Sequence, residues 1–96
     1  MTCVEILHMR ISTELSYWES LNSLYKEGRL LRGSINIYGS EDSFKKRLSF
    51  VEKILRKHLS GVDIYRVTKP QKTPISPRTL MWRIFFKARD KERRRL

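Results

Sequence analysis

The residues best suited to chemistry in this sequence are cations, and they crowd towards one end. Residues 66–96 hold eleven Lys or Arg against two acids, Asp90 and Glu92, whereas residues 1–63 hold ten against eight. Most of the net charge of +11 therefore belongs to the last third. Like charges at that density oppose compaction unless something negative binds them. A phosphate backbone is the polyanion that fits first. Lys69, Lys72 and Arg78 share a stretch with Pro70, Pro74 and Pro77 that contains no acid. Proline fixes φ and removes a backbone donor, so this stretch reads as a stiff exposed arm that cannot continue a strand ladder. Stiffness lowers the entropy lost on docking, which suits a binding arm. Residues 87–95 then read Lys-Ala-Arg-Asp-Lys-Glu-Arg-Arg-Arg with no apolar period. Lys87, Arg89, Arg93, Arg94 and Arg95 are candidates to extend a phosphate contact.

Other chemistries find little purchase. A hydrolytic triad needs a nucleophile, a base and an orienting group in one pocket. His8 and His58 are far apart in sequence and neither sits in a nucleophile motif. The acids are scattered, and Glu41-Asp42 reads better as a helix opening than as a metal site. No G-x-x-x-x-G-K loop is present to cradle a nucleotide. Cys3 is the only cysteine, which rules out an internal disulfide and a structural thiolate zinc site. The expectation is a protein that is not an enzyme, with no catalytic residue, metal or cofactor. One free thiol and no apolar run of ~20 residues point to an intracellular setting, cytoplasm or organelle matrix, without a membrane partner.

The elements that position these cations can be read from periodicity. Residues 4–11 are apolar and β-branched with polar residues interspersed, the pattern of a first strand. Ser12-Thr13-Glu14 then opens a helix whose face carries Leu15, Trp18, Leu21, Leu24 and Tyr25, with Gly28 as its stop. Residues 31–38 alternate, with Leu31, Gly33, Ile35 and Ile37 on one side and Arg32, Ser34, Asn36 and Tyr38 on the other. Ser40 caps a second helix with the stripe Phe44, Leu48, Val51, Ile54, Leu55 and Leu59. Its basic residues form a solvated face with pairs such as Glu52–Arg56. Residues 62–68 and 80–87 are two further strands. In the last of these, Leu80, Trp82, Ile84 and Phe86 face one way and Met81, Arg83, Phe85 and Lys87 the other.

The predicted fold is a two-layer α/β sandwich of order β-α-β-α-β-β. It has a four-stranded mixed sheet with both helices on one face. One domain spans residues 1–88, and residues 89–96 form a basic tail. Trp18 and Trp82 fall on inward stripes and read as core. The bare sheet face would carry Arg32, Arg83 and Lys87 beside Tyr38, Tyr65 and Phe85, cations for phosphates and rings for base stacking.

In its β-α-β-α-β-β order, basic balance and length, the chain also resembles the C-terminal domain of bacterial-type translation initiation factor three, over residues 4–88. Glu27-Gly28, Arg32 and Gly39-Ser40-Glu41 stand at the family's intervals, and Arg78 ahead of Leu80-Met81 is similar to the Arg before its last strand. Tyr38 and Ser40 stand where the family has basic residues. The resemblance implies binding to small-subunit ribosomal RNA, with Arg32 and Arg78 as contacts. The resulting expectation is a non-catalytic module for structured RNA, ribosomal or otherwise ribonucleoprotein. The alternative is a small structural or regulatory adaptor, of viral or mobile-element kind, whose open sheet face pairs with a protein or a second copy.

Overall fold

A computed structural model describes residues 2–74 and 76–91. The elements run α1 (Cys3–Glu14), β1 (Glu19–Glu27), β2 (Leu30–Gly39), α2 (Glu41–His58), β3 (Leu59–Val67), β4 (Gln71–Lys72) and β5 (Leu80–Asp90). The molecule is a two-layer α/β sandwich, with the helices packed on one side of a sheet ordered β1-β2-β5-β3. Every pairing is antiparallel, and β4 also pairs with β5, so the sheet is five-stranded and not mixed. Both β2 and β3 run against β5, so they are parallel to each other. Together with α2 they make a β-α-β unit split by the last strand.

Two elements differ from the sequence expectation. Residues 3–14 form a helix, not a strand. Thr2 and Glu5 close a capping box, Thr2 N donating to Glu5 Oε1 at 2.9 Å and Glu5 N to Thr2 Oγ1 at 3.1 Å. Val4, Leu7, Ile11 and Leu15 then recur three or four residues apart and pack into the core. Residues 19–27 form a strand, not a helix. A register shift at Asn22, between Leu21 and Ser23, inserts one residue, so the inward Leu21 and Leu24 lie three apart and imitate helical spacing. The order is therefore α-β-β-α-β-β-β.

The core is built from rows that cross the sheet. On the inner face Ile37 pairs with Trp82, Ile35 with Ile84, Gly33 with Phe86 and Leu31 with Ala88. Leu7 and Ile11 of α1 and Val51, Ile54 and Leu55 of α2 close over them. Trp82 is buried as expected and packs on Phe44, ring centroids 4.6 Å apart. Trp18 is not core. It lies ahead of β1, 37% exposed, with the Arg47 guanidinium 4.6 Å over its ring. The expected Arg56–Glu52 pair on α2 is present at 3.2 Å. Strand β5 continues to Asp90, with Arg89 paired to Ser60, so the sheet domain extends past residue 88.

The C-terminal ends of the two helices are joined by charge. Lys57 Nζ lies 2.8 Å from Glu14 Oε1, and His58 Nε2 bonds the other carboxylate oxygen. The hydrogen bonds from Lys57 and then His58 hold the Glu14 carboxyl below its ordinary range. A carboxyl lowered by folding stabilises above its unfolded pKa of about 4.3, and that contribution disappears as pH falls through the lower folded value. Glu14→Gln should therefore lower the thermal midpoint at pH 7, with the difference from the native chain narrowing in acid below about pH 4. Thermal melts across pH check this.

Gly33 marks a close approach of β2 to its neighbours. A Cβ there would stand 2.5 Å from the Ser23 carbonyl oxygen and 2.7 Å from Phe86 Cζ. The first obstacle is backbone and cannot swing aside. Gly33→Ala should cost about 1–3 kcal/mol as overpacking, lowering the melting midpoint by roughly 5 °C or more. Gly28, at φ +62 in the β1–β2 turn, has open space around it. There, only backbone strain opposes alanine.

Candidate nucleic-acid interface

The sheet face away from the helices is organised by cross-strand rows. One row runs Tyr25–Arg32–Lys87–Asp63 across β1, β2, β5 and β3. The next runs Ser23–Ser34–Phe85–Arg66. A third holds Ser20, Asn36 and Arg83, and a fourth Tyr38 and Met81 with Gln71 of β4. The structure thus brings Arg32, Arg83, Lys87, Tyr38, Tyr65 and Phe85 onto one face, with Arg89 following on the same side of β5.

Cations and rings interleave at its centre. The Arg32 Cζ stands 5.8 Å from the Tyr65 centroid, Tyr65 lies 6.5 Å from Phe85 at a 38° tilt, and Arg66 Cζ is 5.2 Å over Phe85. The order is Arg32–Tyr65–Phe85–Arg66. Hydrogen bonding to Tyr65, and then to Glu27, raises the Arg32 pKa still further above neutrality. Arg32 and Lys87 face each other directly, a pairing that like charge disfavours. Acids at either end offset it: Glu27 Oε1 is 2.8 Å from Arg32 Nε, and Asp63 Oδ2 is 3.8 Å from Lys87 Nζ. Among the described residues neither Arg66 nor Arg83 has an acidic partner. Arg83 instead donates from Nε to the buried Asn36 Oδ1 at 2.8 Å.

Arg66 is absent from the residues that sequence reasoning singles out. The register shifts between Ile64 and Arg66, so Tyr65 is an inserted residue and both Tyr65 and Arg66 reach the outer face. Simple alternation would send one of them inward. Tyr25 is likewise missed, because its segment reads as helix.

The arm differs from its expected form. Lys69, Lys72 and Arg78 are exposed, but the ladder does continue through it, Gln71 pairing with Met81 and Lys72 with Leu80. Pro70 and Pro74 flank this short strand and do not interrupt it. Thr73 N donates to the Thr79 carbonyl at 3.3 Å, and Thr79 N to the Ser76 carbonyl at 3.1 Å. The arm is therefore laced back onto β5 beside the outer face. Arg93, Arg94 and Arg95 lie outside the described residues.

His8 lies on α1, with its Nδ1 3.4 Å from Ser12 Oγ, and His58 is engaged by Glu14. Among the described residues no three His, Cys, Asp or Glu side chains gather in a metal-binding group, and no helix is long and apolar enough to cross a membrane. Comparison with protein-family models, with curated proteins and with solved structures finds no match for this chain.

Arg83 and Arg66 separate binding from stability. Arg83→Met leaves the buried Asn36 carbonyl without its donor and should cost about 1–2 kcal/mol. Arg66→Met keeps an apolar contact for Phe85 and should stay within about 0.5 kcal/mol of the native chain. Urea denaturation of the two variants distinguishes these outcomes.

Proposed function

We propose that this protein is a non-catalytic nucleic-acid-binding module that docks on structured RNA through the outer face of its sheet. The observation that carries the reading is the Arg32–Tyr65–Phe85–Arg66 interleave on a face that no helix covers. Rings offer stacking surfaces that accept any base, and guanidiniums meet phosphates between them. Arg83, Lys87 and Arg89 continue the cationic track along β5. Lys69, Lys72 and Arg78 border it from the arm, and Arg93, Arg94 and Arg95 follow in sequence. The short motifs that resemble the initiation-factor domain, whose expected β-α-β-α-β-β order this fold does not have, make small-subunit ribosomal RNA the first target to try, with Arg32 and Arg78 as its contacts.

A second reading has its own support. Glu27 and Asp63 share the face with the cations, and a surface of mixed sign can complement a second copy or an adaptor's partner. Light scattering after nuclease treatment separates the two: a salt-resistant dimer favours protein pairing, a monomer favours nucleic acid.

With about six phosphate contacts, affinity for RNA should fall on the order of 10³-fold between 50 and 200 mM salt. Combining Arg66→Ala with Lys69→Ala should weaken binding and reduce the slope of log affinity against log salt by roughly 1.5. Fluorescence anisotropy titrations at several salt concentrations measure both. A slope near zero would remove the proposal.

A further inference from the structure

We infer that the aromatic pocket at the β4 end of the outer face, formed by Tyr17, Trp18, Tyr38 and Thr79, receives one unstacked nucleobase. This rests on the nucleic-acid reading and narrows it to RNA that is single-stranded or splayed at that point.

Three observations lead there. The pocket has a volume of about 320 Å³ and a mostly aromatic lining. Tyr17 is 86% exposed, touching Trp18 only edge-on at 5.2 Å between centroids. A ring left this open beside the Trp18 and Tyr38 side chains offers a free face for stacking. The walls are nevertheless held in place. Glu19, buried at the start of β1, accepts from Ser16 N at 2.8 Å and from Ser16 Oγ at 2.5 Å, and its other oxygen is 3.9 Å from Arg47 Nη1. Trp18 N donates to Ser16 Oγ at 3.1 Å, and Tyr38 N to the Trp18 carbonyl at 2.8 Å. The turn carrying Tyr17 and Trp18 is thus pinned to both α2 and β2, so little ordering remains for a ligand to impose.

Continuity and charge choose the occupant. Tyr38 belongs both to the pocket and to the outer-face row of Met81, one row beyond Asn36 and Arg83. A strand tracked along Arg66 and Arg83 therefore arrives at this pocket. Exposed Arg78 precedes Thr79 in the wall and is placed for the phosphate of the inserted nucleotide. The hydroxyls of Thr79 and the two tyrosines supply polar partners for a base edge. A proline-rich peptide is the other occupant that aromatic grooves accept. It would have no use for the cationic track leading in.

The chain carries its own reporter. Of its two tryptophans, Trp82 is buried and Trp18 lines the pocket. A short single-stranded oligouridylate should quench tryptophan emission, and Trp18→Phe should abolish the change. Tyr17→Ala and Tyr38→Ala should each weaken oligouridylate binding by roughly 5- to 100-fold. A blunt RNA duplex of the same length should bind without quenching. Uridine monophosphate at high concentration should quench weakly, which tests the pocket apart from the sheet face. If the oligonucleotide binds and depends on Arg66, but emission and the two tyrosine variants are unchanged, the pocket inference is overturned and the face reading stands. If quenching occurs but Arg66→Ala binds normally and the salt slope is flat, the pocket stands and the face reading falls. Quenching by a peptide copying residues 68–79, with none by either nucleotide probe, overturns the inference in favour of peptide recognition. No response to any probe overturns it outright.

Discussion

Strand β5 is hydrogen-bonded on both sides, and its alternation sets the two surfaces of the sheet. Its even-numbered residues, Trp82, Ile84, Phe86 and Ala88, form the row on which both helices and the inward residues of β2 converge. Its odd-numbered residues, Arg83, Phe85 and Lys87, form the spine of the opposite face. A strand has a side-chain period of two, so one apolar row fixes which cations face outward. Burial on one side is thus what aligns charge on the other. Core and candidate interface are two consequences of one register.

That dependence explains what was legible in the sequence. β2, α2 and β5 have uninterrupted periods, and their elements, inward faces and outward cations follow from the spacing of apolar residues alone. The two-layer class follows as well, because α2 shows a single apolar stripe over a one-sided strand. The errors fall where the period is broken or shared. Val4, Leu7 and Ile11 fit a helix, but β-branched residues around them suggest extended chain, and the Thr2–Glu5 capping box is the signal that decides. At Asn22 and Tyr65 an inserted residue changes the spacing on one strand only, which is visible only when the partner strand is known. The outward placement of Arg66 and Tyr25 is not legible from the sequence for that reason. The prolines act in the other direction: Pro70 and Pro74 bracket a ladder segment, Gln71-Lys72, whose own residues keep their backbone donors.

The charge of the last third is not spread evenly in space. β5 contributes cations to one surface, the arm sets more along its margin, and the acids Glu27 and Asp63 attend only the two cations that oppose each other. Arg66 and Arg83 are held by a ring and an amide, neither of which neutralises them. Among the described residues, cations without an acid beside them therefore lie near Phe85, while the Arg32–Lys87 row has an acid at each end. A polyanion crossing the sheet meets a graded surface, not a uniform one.

The central strand of the sheet is also the last to be made. While residues up to Val67 are already available, β2 and β3 each present an open edge to the gap that β5 will fill. In the folded sheet neither hydrogen-bonds to the other across that space, and residues 80–90 alone join the β1–β2 pair to β3. Until β5 is seated, those two edges have none of its charge beside them to discourage stray edge-to-edge pairing. In the nascent chain they are the points of the half-built sheet most open to sticking to a neighbour, and β5 removes both at once.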